Sequence, residues 1–198
     1  MTQKTRHSKP SGGLAQATAA IAGPPPLISG EKAPAYDDLL ARVTDALAPS
    51  DVLEHIWIRD VVDLVWEVFR LRRIKTNLMA AAVPEGMVQV LRPLRGGAAE
   101  KLTFAWAARE EDDVEEVATT LANVGLTMDH VAASGFSARI GDFERIDRML
   151  ADAEERRSTA LHALDRHRAG LALRLRSTLQ EIEDAELEVI APARENAA

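Results

Sequence analysis

The chain has 198 residues, 46% hydrophobic, 4% aromatic and 28% charged, with a formal net charge of −7. That length allows a domain with a tail and a sizeable core, and an aliphatic, charge-rich composition poor in aromatics is that of helical proteins. The acidic balance argues against a surface that coats nucleic acid throughout, and the absence of cysteine removes disulfides, thiolate chemistry and cysteine zinc sites.

No apolar run reaches the ~18 residues of a membrane span, and residues 8–13 offer polar side chains and glycine where a secretory signal has an apolar stretch. The expectation is a cytoplasmic protein that does not cross a membrane. Charge is unevenly placed. Residues 1–33 hold four Lys/Arg against one Glu, residues 34–142 eleven against eighteen acids, and residues 143–198 nine against twelve.

Residues 1–33 read as a disordered basic leader. Lys4, Arg6, His7 and Lys9 precede Pro10-Ser11-Gly12-Gly13, and Pro24-Pro25-Pro26 excludes helix. The spacing of Leu39, Leu40, Val43 and Leu47 predicts a first helix over 36–47, with Asp37 and Asp38 in its opening turn. Pro49 ends it and Ser50 caps the next. That second helix, 50–82, carries one stripe through Leu53, Trp57, Val61, Leu64, Val68, Leu71 and Leu78 and another through Ile58, Val62, Val65 and Phe69. A face that wide takes more than one partner helix. Trp57 and Trp66, nine residues apart, point in different directions and serve different contacts. Pro84-Glu85-Gly86 breaks the helix, 93–97 is a loop, and 88–90 is the one short strand candidate. Helices follow over 98–108, over 114–124 with Asp112 or Asp113 as its cap, and from a Thr127 cap through 133, where Ser134-Gly135 ends it.

The last helix begins between 137 and 142 and is the longest. Phe143, Ile146, Leu150, Ala153, Ala160, Leu164, Leu171, Leu175, Leu179 and Ile182 make one apolar stripe on it. From 143 to 186 it would run ~60 Å, so other helices or another copy must cover the stripe. Pro192 follows, and 191–198 reads as a frayed tail. The domain reading is a single helical unit over 34–190, with a small lobe at 84–136. The fold expectation is all-α: a long hydrophobic helix paired with a long C-terminal helix, shorter helices between them, and a disordered N-terminal tail.

Chemical signatures are missing. His162 and His167 do not converge on a helix, no Glu-x-x-His occurs, and Asp51 with His55 reads as a cap beside an ordinary helix histidine. No phosphate-binding glycine loop and no nucleophile elbow is present. No cofactor, metal or small-molecule ligand is expected, and no enzyme. Residues 115–133 have the rhythm of a helix-turn-helix around Gly125, yet Glu115 and Glu116 precede the turn and no Lys or Arg follows on the second helix.

The charge layout of the long helix is more informative. Arg156, Arg157, Arg166, Arg168, Arg174 and Arg176 form a basic stretch with one acid, Asp165. An acidic block follows: Glu181, Glu183, Asp184, Glu186 and Glu188. This layout suits register-setting, with the acidic end meeting either 70–75 of the same chain or 156–176 of another. The runs Ala153-Glu154-Glu155-Arg156-Arg157, Asp165-Arg166-His167-Arg168 and Ile182-Glu183-Asp184-Ala185-Glu186, with Leu71-Arg72-Arg73, resemble a group of uncharacterised bacterial helical proteins with an Arg-rich C-terminal helix. The resemblance implies a helical fold and brings no activity. The functional expectation is a non-enzymatic interaction or assembly protein working through helix–helix contacts, as a homo-oligomer or with a helical partner. Its candidate contacts are Ile146, Leu150, Leu164, Leu171, Leu175 and the six arginines. The alternative is a DNA-associated accessory protein using the leader and the 156–176 strip.

Overall fold

The computed structural model describes residues 23–190, with side chains to residue 185. The leader lies outside the described residues as far as 22, and the tail 191–198 wholly so. The protein is all-α. The described residues form α1 Ala33–Leu47, α2 Val52–Arg95, α3 Ala99–Ala107, α4 Glu111–Ala122, α5 Met128–Ala138 and α6 Ile140–Ile190, with a 3-10 turn Gly96–Ala98 after α2. No described residue is in a strand, 88–90 included. None of the described helices is long and apolar enough to cross a membrane.

Several boundaries differ from the sequence reading, each for a local reason. Helix α1 starts three residues early because Pro34 sits in its first turn, where the missing N–H costs nothing; Asp37 and Asp38 therefore fall in the second turn. The cap of α2 is Asp51 and not Ser50: Glu54 N–H donates to Asp51 Oδ1 at 3.0 Å, while Ser50 N–H donates to Glu54 Oε2 at 2.9 Å. Helix α4 begins at Glu111, so Asp112 and Asp113 lie inside its first turn, where acids favour the dipole. Thr127 does precede α5, its N–H donating to His130 Nδ1 at 3.1 Å.

The largest difference is the length of α2. It does not stop before Pro84 but runs through Pro84 and Pro93 to Arg95. Each proline deprives the carbonyl four residues back of its donor and costs a helix interior about 3 kcal/mol. Tertiary packing offsets this cost. A Cβ on Gly86 would lie 2.2 Å from Val131 O and 2.4 Å from Gly135 N, and one on Gly135 would lie 2.2 Å from Ala82 O. Helices α2 and α5 thus meet backbone to backbone. The same contact explains why Ser134-Gly135 does not end α5: here glycine serves close approach and not a left-handed cap.

The chain packs as two compact units. One takes the described residues up to Leu64 and from Glu155 onward; the other is Val65–Glu154. The first buries Tyr36, Ile58, Val61, Val62, Leu64 and Leu164. The second is wider than the 84–136 lobe. Its centre is a cluster of Met87, Leu91, Ala99, Leu102, Val117, Leu121 and Val131, and it also buries Val68, Leu71, Phe143 and Ile146. Within this unit Arg72 pairs with Glu154 at 2.9 Å, Lys75 with Asp147 at 2.6 Å and Arg139 with Glu85 at 2.8 Å. The two tryptophans of α2, which point in different directions around the helix, belong to different units. Trp66 is buried in the second, and Trp57 meets the His167 ring edge-on in the first, with centroids 5.2 Å apart.

Candidate functional site

The chemistry-bearing side chains gather in the first unit, where α6 passes the N-terminus of α2. Asp51 and Glu54 are the cap and third residue of α2, an Asp-x-x-Glu start whose carboxylates gather free backbone N–H groups. His167 and Arg168 come from α6. His167 Nε2 lies 2.6 Å from Asp51 Oδ2. Arg168 grips Glu54 bidentately, Nε to Oε1 at 3.0 Å and a terminal nitrogen to Oε2 at 2.9 Å, and that nitrogen also donates to Leu47 O at 2.6 Å. One guanidinium therefore ties the end of α1 and the start of α2 to α6.

The electrostatics follow from these contacts. The Arg168 guanidinium holds the Glu54 carboxyl below its ordinary value, and the Ser50 N–H adds to this against the cost of burial. The Glu54 N–H, then His167, hold Asp51 below its own. Glu54 is 1% exposed, so its charge needs that partner. A second polar group in the same unit joins the Tyr36 hydroxyl, which donates to Asp63 Oδ1, to Arg59, which donates to the same oxygen at 3.2 Å and lies over the Tyr36 ring. Burial and the Asp63 carboxylate raise the Tyr36 hydroxyl well above its usual range.

Ligand atoms of Asp51, Glu54 and His167 lie within 4.8 Å of one another, a donor set that a divalent cation takes. The guanidinium already on Glu54 opposes that use: both carboxylate oxygens are engaged by a cation, and one Asp51 oxygen caps the helix. The group is a clamp between helices. Sequence reading singled out Asp51 only with His55. The His55 ring instead bonds Asp51 O at 2.8 Å.

The clamp is also where burial of α6 ends. The stripe is buried at Phe143, Ile146, Ala153 and Leu164, and Leu150 is half-buried. Every side chain from Leu171 to Ala185 is exposed. Leu171, Leu175, Leu179 and Ile182, at 37%, 62%, 50% and 51% exposure, lie within about 80° of one another around the helix. They continue the stripe into solvent as an unpartnered arm. Of the candidate contacts, Ile146, Leu150 and Leu164 thus serve their own units, and Leu171 and Leu175 stand free. Among the arginines, Arg168 belongs to the clamp, Arg157 is half-buried, and Arg156, Arg166, Arg174 and Arg176 are exposed. At about 100° per residue, Arg156, Arg157, Arg166 and Arg176 point in four directions, so they form no single strip. In the second unit, Arg72 and Lys75 of the 70–75 stretch pair with Glu154 and Asp147.

No protein family matches this chain, and neither a curated protein nor a solved structure does.

Proposed function

We propose that this protein is a non-enzymatic interaction protein whose working part is the helical arm beyond the clamp. The supporting observation is the exposed stripe Leu171, Leu175, Leu179 and Ile182 on a helix whose root is fixed by Arg168. Four large aliphatic side chains in a row, with Leu173 the one large apolar side chain of 171–185 off that face, have the pattern by which amphipathic helices bind helical partners. Their removal from water on binding would supply the affinity, at about 25 cal/mol per Å² of apolar surface. The clamp would contribute preorganisation: a helix already nucleated and aimed loses less entropy on docking than a free peptide.

The test is retention of helical proteins by the immobilised chain, compared with a Leu175→Asp, Ile182→Asp variant. Binding should fall to background in the variant, with its melting temperature unchanged. Equal retention by both would sink the reading. Titration of labelled random duplex into the same preparation should show no steep salt dependence; a steep slope would transfer the arm's arginines to nucleic acid.

A further inference from the structure

We infer that the partner of the arm is a second copy of this chain, lying antiparallel to it. This rests on the arm being a helix-binding surface, and it adds the occupant, its direction and its register.

The argument is the charge pattern beside the stripe. Arg174 and Glu181 border the stripe on one side, and Arg176 and Glu183 border it on the other. Within each pair the cation and the anion are seven residues apart, two helical turns along the same edge. A second arm laid antiparallel, with a two-fold axis between Thr178 and Leu179, brings like edges together in reverse order. Arg174 then faces Glu181 of the second copy, and Arg176 faces its Glu183. Symmetry repeats both pairs, each within about 3 Å of level along the axis at 1.5 Å per residue. The same register sets Leu175 against Ile182 of the second copy and Thr178 against its Leu179, so stripe meets stripe. A parallel, in-register pair does the opposite. It gathers the arginines 174 and 176 of both chains at one level and the glutamates 181 and 183 at another, and repulsion between like charges disfavours it.

The chain has no cysteine, so a single introduced thiol reads orientation directly. In the proposed pair Thr178→Cys sits at the axis and should form an interchain disulfide under mild oxidation. Leu171→Cys should not, because the two copies of residue 171 are about 22 Å apart along the axis, beyond the 4.4–6.8 Å between Cα atoms that a disulfide needs. Light scattering on the full chain should show a mass rising toward twice 21.6 kDa with concentration. Arg174→Glu with Arg176→Glu should weaken association by about tenfold or more. Adding Glu181→Arg and Glu183→Arg to that variant should restore it, since the swapped charges again alternate. Equal crosslinking of both thiol variants would overturn the antiparallel register. So would a charge swap that fails to rescue. A mass that stays at one chain at every concentration would overturn self-pairing altogether; arm-dependent retention of other proteins would then still stand as its own result.

Discussion

At the scale of residues, the clamp ties three helix segments through one arginine, and its removal has a calculable direction. Arg168→Met keeps most of the side-chain volume and leaves Glu54 buried with only the Ser50 N–H as donor. Breaking a fully buried pair costs about 3–5 kcal/mol. The Arg168 side chain is 38% exposed, and solvent screening lowers the expectation to about 2 kcal/mol, read as a shift of the urea midpoint at constant slope. The pH dependence has a definite sign. Asp51 and Glu54 both titrate below their ordinary values in the folded chain. A carboxylate depressed on folding contributes stability above its unfolded value, and that contribution is lost as pH falls through the folded one. Stability from the clamp should thus be complete at neutral pH and decline below about pH 4. Arg168→Met should flatten that decline, and an unaltered acid limb would assign the acid sensitivity to other carboxylates. On the α2 side only Asp51 was legible, as a capping aspartate beside His55; Ser50 was the expected cap of the helix, and Glu54 carried no signal of its own. The α6 side was not legible. Arg168 lies 114 residues from Glu54, and periodicity says nothing about which cation arrives there.

At the scale of elements, the helices were legible wherever one face governs them. The first helix, the three short ones and the start of α6 follow from apolar spacing and turn residues. The passage of α2 through Pro84 was not, because a local rule was overridden by a distant contact. Pro84 and Gly86 read together as a break, yet Gly86 is where α5 presses its backbone. A paired prediction separates the two roles of glycine. Gly86→Ala and Gly135→Ala would each put a methyl 2.2 Å from a carbonyl oxygen. Each should destabilise by about 3 kcal/mol or more, the upper end for overpacking. Gly170→Ala meets nothing within 4 Å of its added carbon and should stabilise by up to about 1 kcal/mol, as alanine does in a helix interior. Thermal midpoints of the three variants decide it. If Gly135→Ala melts with the parent, the helices do not touch there as described.

At the scale of the whole molecule, the arm changes what a substitution on the stripe means. The stripe reads as continuous in sequence, and periodicity alone cannot tell its buried half from its exposed half. Leu164 is 2% exposed and Leu175 62%, so the same change at the two positions should have unlike effects. Leu164→Asp buries a charge in the first unit and should unfold it, with a loss of cooperative melting. Leu175→Asp with Ile182→Asp removes nothing from either core and should leave the melting midpoint within about 0.5 kcal/mol of the parent, as surface substitutions do. What that pair should change is the behaviour of the arm on dilution. The clamp nucleates the arm, but in proteins most helical stability comes from packing of the apolar face, which the arm has only when a second copy covers the stripe. As copies separate, the amides of residues 171–185 should lose protection from hydrogen exchange while those of α2 keep theirs. The double variant should show the unprotected pattern at every concentration. Arm amides that exchange at the same rate in the parent at high and low concentration would mean that nothing covers the stripe when copies meet. The exposed leucines would then await a different helix.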